Sequence, residues 1–299
     1  MNSRRQNGVA LVLVLWMLAI LTVLVAGYSR VQRTETVLTA NIVNASSAQA
    51  LASAGISLTI RELLKPESEI SFRTDGTVHS RMYRGQQIKI DVRAESGKID
   101  LNIAQPELLL GLLESVGYSS EISQSTLNTI LDWRDKDNLT RPDGAEEPEY
   151  QEYDYSAKNG VFNSVSELLL VKGMSLETYR LIAPVLTVHS NQAGIFPLSA
   201  SRETLLAIPN ILESDIDDYI EQRSSPDNDN EFPPVLDADG TYLATTKGNV
   251  FTIRSVASIN NIISSVEAVI SIEKTGKRPF TVLSWSEDKI PAQEQLDES

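Results

Sequence analysis

The chain contains no cysteine and only two histidines among its 299 residues. The absence of cysteine excludes a disulfide framework and any metal site with thiolate ligands. His79 and His189 stand apart, and no serine-elbow, phosphate-loop or HExxH pattern accompanies them. Positive charge is also scarce, because 26 basic residues face 40 acidic ones and the formal net charge is −14. We therefore predict that the protein is not an enzyme, and its negative charge argues against binding to a phosphate backbone.

Charge is absent altogether from the apolar run of residues 8–28, which follows a short leader carrying Arg4 and Arg5. About 20 apolar residues in a helix span the ~30 Å core of a bilayer, so we expect residues 9–28 to cross a membrane. The run is longer than the apolar core of a secretory signal. Two interpretations remain. It is either a plain uncleaved anchor, or it resembles a type IV pilin-like leader (residues 1–8), cut after Gly8 to leave Val9 as the new N-terminus.

Position 13 separates this chain from ordinary pilin-like subunits. Proteins of that class usually carry a glutamate at the fifth residue after the cleavage site, and this chain has Leu13 there. A carboxylate in the bilayer is costly and is kept only for function, so its absence argues against a role in a filament shaft. Basic residues flank both sides of the apolar run, and the leader type alone predicts that the bulk of the chain lies outside the cytoplasm.

The helical pattern continues beyond the membrane segment. Residues 9–64 contain no proline and would form one helix of about 84 Å, which Pro66 ends. Alternating apolar residues predict four strands, one near residue 90 and three after residue 250. We therefore predict an α+β protein in which a long helix packs on an antiparallel sheet that a helical insertion interrupts. The expected parts are helix and first strand (29–98), inserted α-helical domain (99–245), remaining strands (246–286) and a disordered tail (287–299).

The insertion contains a weak internal repeat. Residues 102–110 and 198–206 each offer a capping residue, an alanine, a glutamate three places later and then leucines, and a second helix follows each. A third unit spans 162–174, where the spacing of Ser164 and Glu167 is typical of a capping box. These units resemble helix-hairpin-helix or SAM-like modules. The hairpin at Gly173 has one glycine where DNA-binding examples have two, which favours protein packing over nucleic-acid binding.

Nine carboxylates crowd into residues 132–154, opposed by only three basic side chains. Five aromatic residues in or beside this stretch argue for an ordered loop, since disordered loops rarely carry so many. Such a charge density calls for compensation, and Ca²⁺ takes 6–8 oxygen ligands flexibly. No EF-hand pattern is present, so a calcium site and a solvated acidic loop are both compatible with the residues. The candidate ligands are Asp132, Asp135, Asp137, Asp143, Glu146, Glu147, Glu149, Glu152 and Asp154.

Taken together, these features resemble the K-type minor pseudopilins of type II secretion systems (general secretion pathway protein K). The resemblance covers most of the chain, and its most specific part is residues 130–147. The other matching pieces are the leader ending in Gly8, the leucine at position 13, and the segments 54–56, 98–102 and 158–168.

The resemblance implies a pseudopilin fold and a place at the tip of the pseudopilus, in a heterotrimer with two other minor pseudopilins. It implies that the protein initiates or caps assembly and supports export of folded proteins across the outer membrane. It also implies calcium in the acidic loop, leader cleavage by a prepilin peptidase, N-methylation and contact with the inner-membrane assembly platform. The C-terminal region would lie in the periplasm. The alternative is a membrane-anchored extracytoplasmic module for DNA binding or uptake.

Overall fold

The computed structural model describes residues 7–225, 234–274 and 277–288 of the chain. A long N-terminal helix packs on a five-stranded antiparallel sheet, and a largely helical segment is inserted between two neighbouring strands of that sheet. In chain order the elements are α1 (Asn7–Leu63), β1 (Asp75–Tyr83), β2 (Gln86–Ala94), β3 (Ile99–Asp100), α2 (Pro106–Ser115), α3 (Ser120–Arg134), α4 (Leu176–Ile182), β4 (Leu186–Thr187), α5 (Arg202–Leu205), α6 (Glu213–Ser224), β5 (Val250–Ile259), β6 (Ile262–Ile272) and β7 (Phe280–Asp288).

Helix α1 runs unbroken for 57 residues, which confirms the prediction of one long helix that ends just before Pro66. Among the described residues it is the one helix that is long and apolar enough to cross a membrane. Residues 10–43 are exposed, and burial against the sheet begins only at residue 44. The N-terminal part of α1 therefore projects beyond the sheet.

The C-terminal part of α1 packs on β5 and β6 through a stripe of small side chains. Ala48 and Ala52 are fully buried, and a Cβ atom added to Gly55 would lie 2.1 Å from Ser255 Oγ on β5. Small residues on one helical face allow this close approach, as the sequence predicted. The larger residues Ile56 and Leu63 complete the face and are 1% exposed each.

The sheet has the strand order β1-β2-β5-β6-β7, and every neighbouring pair is antiparallel. The four predicted strands are confirmed as β2, β5, β6 and β7. The expectation of a single strand before the insertion is wrong, because β1 precedes β2 in a hairpin. Strand β1 is an edge strand whose apolar residues Val78 and Met82 are 60% and 69% exposed, so it lacks a buried face. Its sequence therefore shows no clear alternation.

Strand β7 also corrects the prediction for the C-terminus. It extends to Asp288, so Glu287 and Asp288 belong to the sheet and not to a tail. Residues 289–299, the rest of the predicted tail, lie outside the described residues.

The inserted segment builds a hydrophobic core of its own, separate from the core between α1 and the sheet. Its helices confirm the internal repeat. A parallel backbone pairing joins the start and end of each copy, Ile99 with Leu186 in the first and Ile195 with Leu243 in the second. In both copies an arginine of the second helix donates to two backbone carbonyls before the first helix: Arg134 to Leu101 and Ala104, and Arg223 to Pro197 and Ala200.

The third predicted unit folds differently. Residues Val165–Leu170 form a 3₁₀ helix that leads into α4, and Ser164 gives it no side-chain cap. The predicted capping box is wrong, because Ser164 Oγ pairs with Ser166 Oγ (2.8 Å) instead. The Glu167 carboxylate accepts from the Asn163 N–H (3.0 Å) and pairs with Lys158 (2.5 Å).

The insertion leaves the sheet at the end farthest from the N-terminal part of α1. The turn between β5 and β6 lies near the start of the packed region, where Asn260 Nδ2 donates to Asn44 Oδ1 at 3.2 Å. At the opposite end of these strands, Leu63 and Phe251 line one small cavity. Phe251 pairs there with Ala94, so both connections to the insertion lie at that end. The inserted segment therefore extends the molecule away from the exposed N-terminal part of α1.

A buried carboxylate joins the insertion to the sheet. Glu95 is 2% exposed, and its Oε1 accepts from Lys98 Nζ and from the Thr252 hydroxyl of β5, both at 2.6 Å. Its Oε2 accepts from the Thr187 hydroxyl of β4. Burial alone would raise the pKa of Glu95, but Lys98 and the hydroxyl donors outweigh that effect and lower the pKa. Glu95 is therefore charged and holds the two parts of the molecule together.

Candidate functional site

The acidic loop closes over the buried carboxylate of Asp132, near the end of α3. Asp132 is fully buried, and its Oδ2 accepts from the backbone N–H groups of Arg141 (3.2 Å) and Ala145 (3.0 Å). Gly144 lies so close that a Cβ atom there would be 2.1 Å from the same oxygen. Only glycine fits at this point, so the sequence of the loop allows it to wrap the carboxylate.

Three of the nine predicted ligands come together. Asp132, Asp135 and Glu146 each offer an oxygen, and these three oxygens lie within 4.8 Å of one another. Glu146 is fully buried, and both of its carboxylate oxygens lack a hydrogen-bond partner within the described part of the chain. A buried carboxylate without a donor is strongly unfavourable unless a cation or a proton compensates it. Burial, followed by the charges of Asp132, Asp135 and Asp137, raises the pKa of Glu146 to about 7.

The donor set fits a hard cation. All three groups are carboxylates, the ligand type that Ca²⁺ prefers, and an ion among them would give Glu146 the partner that the described residues do not supply. The cluster is partly shielded, since Asp135 is half-buried and the other two are buried. The arrangement can therefore bind a cation, which would offset part of the negative charge of the loop.

Arg141 already supplies one positive charge to this cluster. Its Nη1 donates to Asp132 Oδ1 at 2.6 Å and to Asp135 Oδ2 at 2.5 Å. The hydrogen bonds that Arg141 donates to Asp135 and Asp132 raise its pKa above the ordinary value. The sequence offered no signal for this pairing beyond the presence of a basic residue in an acidic stretch. Arg141 makes no hydrogen bond to Glu146 that the structure records.

The other six predicted ligands lie outside the cluster. Asp137 is exposed and accepts from the Leu139 N–H, although its charge still acts on Glu146. Glu149 Oε2 accepts from the Glu146 N–H at 2.9 Å and so caps a short 3₁₀ helix, Glu147–Tyr150. The remaining four are exposed to solvent, namely Asp143, Glu147, Glu152 and Asp154. Which carboxylates bind an ion stays a prediction, and the geometry favours the clustered three.

Aromatic side chains order the loop, as the sequence predicted. Trp133 is buried and contacts Tyr150 and Phe162, with ring centroids 5.5 Å and 6.5 Å away. The Tyr150 hydroxyl accepts from the Lys172 N–H at 2.9 Å, which connects the loop to the chain beyond it. The loop therefore packs on the core of the inserted segment and does not depend on an ion alone.

The predicted processing residues lie at the start of α1. Gly8 and Val9 are both within its first turn, and Leu13 is 57% exposed. Cleavage between Gly8 and Val9 stays a prediction.

Residues 92–191, which include the whole carboxylate cluster, match the family described as type II secretion system (T2SS), protein K. A curated protein of Pseudomonas aeruginosa, type II secretion system protein K, is 26% identical over 273 residues, covering 83% of this chain and 80% of the relative. The resemblance to the K-type minor pseudopilins is confirmed.

The fold of the chain is also similar to a solved structure, the GspK-GspI-GspJ complex from enterotoxigenic Escherichia coli. The match has a TM-score of 0.56 and 18% sequence identity, and covers 87% of this chain and 99% of the solved one. At that identity it supports the fold alone. It agrees with the α+β architecture of a long helix, an antiparallel sheet and an inserted helical segment.

Proposed function

We propose that this minor pseudopilin sits at the tip of a type II secretion pseudopilus and initiates or caps its assembly. The observation that carries the proposal is the position of the inserted segment, at the end of the sheet farthest from the N-terminal part of α1. Subunits of a helical filament stack head to tail through the same pair of surfaces. A segment as large as residues 95–249 covers the upper surface and ends the stack.

The exposed part of α1 is the surface proposed for two other minor pseudopilins. Residues 10–43 are exposed throughout, and Val37, Leu38 and Ile42 remain 54–67% exposed beyond the predicted membrane segment. Apolar side chains at such positions call for a covering partner. The solved relative is a complex of GspK with GspI and GspJ, which supports partners of that class here.

The proposed location is the inner membrane, with residues 9–28 spanning it and the remainder in the periplasm. A prepilin peptidase would cut after Gly8, and Val9 would become the methylated N-terminus. Leu13 fits the tip position, because the usual glutamate is thought to pair with a neighbouring subunit and a tip subunit has no neighbour above it. The assembly platform is a further proposed contact, and the pseudopilus would support export of folded proteins across the outer membrane.

The test of this role is assembly with both partners. The full chain, purified in detergent with the two other minor pseudopilins of the same secretion system, should form a ternary complex in light scattering. Leu38→Asp should weaken the complex, whereas Leu139→Asp, at a 76% exposed position in the inserted segment, should not. A chain that remains monomeric with both partners present contradicts the proposal.

We also propose that Asp132, Asp135 and Glu146 hold a calcium ion that offsets part of the negative charge of the loop. After chelator treatment, the full chain should release or absorb heat on titration with CaCl₂, and its unfolding midpoint should rise. Glu146→Gln should abolish both effects. The matched control is Asp154→Asn, which removes one carboxylate of the same loop outside the cluster and should behave as wild type. No heat and no shift in the wild type would contradict the proposal.

A further inference from the structure

Arg141 donates to the same Asp132 oxygen that could bind an ion. Asp132 Oδ2 is already used by two backbone donors, the N–H groups of Arg141 and Ala145. Oδ1 accepts from no backbone donor within the described part of the chain, so it is the oxygen available to a cation, and Arg141 Nη1 lies 2.6 Å from it. The same nitrogen donates to Asp135 Oδ2 at 2.5 Å, so one guanidinium nitrogen bridges two of the three clustered carboxylates.

We infer that Arg141 is a resident cation of the acidic loop, which pairs Asp132 with Asp135 in the metal-free protein and competes with the ion for them. The inference rests on the proposed metal site. A divalent ion bound at Asp132 Oδ1 would repel a guanidinium on the same atoms, since like charges a few ångströms apart interact strongly in a partly shielded site. Binding of the ion therefore displaces the Arg141 side chain.

The geometry lets this exchange take place with little other movement. The Arg141 side chain is 37% exposed, so its guanidinium can turn into solvent. The backbone N–H of Arg141 continues to donate to Asp132 Oδ2 whichever way the side chain points. The loop therefore keeps its path in both states, and only the cation at the centre changes.

Two roles for Arg141 predict opposite effects on affinity. A resident competitor stabilises only the metal-free state, so its removal lowers the stability of that state and tightens ion binding. A merely structural ion pair that persists beside the ion stabilises both states, so its removal lowers both stabilities and leaves affinity unchanged or weaker. Removing the competitor removes a free energy equivalent to about one charge-assisted hydrogen bond. A difference of that size corresponds to roughly 10-fold in the Kd for the ion.

The experiment compares Arg141→Gln and Arg141→Lys with wild type, using the full chain in detergent after chelator treatment. Arg180→Gln is the matched control, because it removes one exposed guanidinium from α4 of the same inserted segment. Calorimetric titration with CaCl₂ gives Kd, and thermal unfolding gives stability with and without the ion. We expect Arg141→Gln to bind roughly 10-fold more tightly, to unfold at a lower temperature without calcium and to match wild type with saturating calcium. Arg141→Lys should lie between, and Arg180→Gln should match wild type.

The possible results separate this inference from the metal proposal. If the wild type binds calcium and Arg141→Gln binds no more tightly, the inference is overturned and the metal site stands. If Arg141→Gln binds and the wild type does not, Arg141 outcompetes the ion: the inference is supported and the calcium proposal fails for the wild type. If neither protein binds, both proposals are overturned.

Discussion

Helix α1 and strand β5 approach so closely at Gly55 and Ser255 that a single added methyl group should push them apart. A Cβ atom at Gly55 would lie 2.1 Å from Ser255 Oγ and 3.0 Å from Ile88 Cγ2, where ordinary contacts are 3.4–4 Å. Ser255 is fully buried on the strand, so its hydroxyl has little room to yield. In Gly55→Ala the helix must therefore lift from the sheet by about 1 Å.

The expected loss follows from two opposing effects. Overpacking a tight contact costs about 1–3 kcal/mol. Replacing glycine with alanine inside a helix returns about 1 kcal/mol. Because the clashing side chains of Ser255 and Ile88 are fully buried and cannot turn into solvent, we expect the cost at the upper end of its range and a net loss of about 2 kcal/mol. Ser255→Ala removes both the clash and a buried hydroxyl that has no partner among the described residues, and should stabilise the fold by about 1 kcal/mol.

The double-mutant cycle is the decisive measurement. On the Ser255→Ala background, close contacts with Ile88 Cγ2 (3.0 Å) and with the Cβ atom of residue 255 (3.1 Å) remain and offset the helix gain of about 1 kcal/mol. Gly55→Ala should then be close to neutral, which gives a coupling of about 2 kcal/mol between the two positions. Hydrogen exchange of β5 amides in the full chain reports this stability, and amides of the inserted segment serve as an internal control because that segment has a separate core. If Gly55→Ala costs the same on both backgrounds, the contact between these two side chains is not the cause and our reasoning is refuted.

Two further predictions concern the end of α1 and the internal repeat. Hydrogen bonds from Lys65 and Ser71 lower the pKa of Glu62 from 4.5 to about 2. The ionised Glu62 therefore contributes fully to the free energy of unfolding above pH 4.5, and this contribution is lost as the pH falls toward 2. Glu62→Gln should lower the thermal midpoint at pH 7, and its difference from wild type should disappear at the acidic end. Arg134→Lys should destabilise the inserted segment by about 1–2 kcal/mol in hydrogen exchange, because Arg134 reaches its two carbonyls with two nitrogens of the guanidinium fork, which lysine lacks. Arg223→Lys should cost less, because one nitrogen of Arg223 contacts both of its carbonyls.

The sequence was most informative where burial produces a regular pattern. The long apolar and small-residue helix was predicted within two residues of its observed ends, and four strands with a buried face were found. Strand β1 was missed because both of its faces are exposed. The one signal for it is its turn, where Arg84 and Gly85 both have positive φ (49° and 79°), the geometry of a two-residue hairpin loop. An arginine is an unusual choice there, so the residue types alone gave little indication.

The candidate site shows the opposite limit. Composition predicted an ordered acidic loop, but the positions of nine carboxylates within residues 132–154 do not indicate which of them come together. That depends on the path of the chain from Asp135 back to Glu146, which the buried Asp132 fixes by accepting from backbone N–H groups of the loop. The importance of Gly144 is the space it leaves beside Asp132, which no sequence pattern indicates. Contacts of this kind are set by tertiary structure and leave no periodic trace.

The orientation of the inserted segment is fixed by two connections and by the bonds between them. A domain on a single linker can rotate, but here the chain enters and leaves through paired strands, at Ala94 and Phe251. Glu95 then binds hydroxyl groups on both sides, and the Phe196 N–H donates to the Ser96 carbonyl at 2.7 Å. Removing one of these partners would leave the charge of Glu95 buried and uncompensated, which is costly. Under the proposed function, partners that bind α1 therefore also fix the position of the inserted segment. A tip subunit of this kind needs no separate contact to orient that segment.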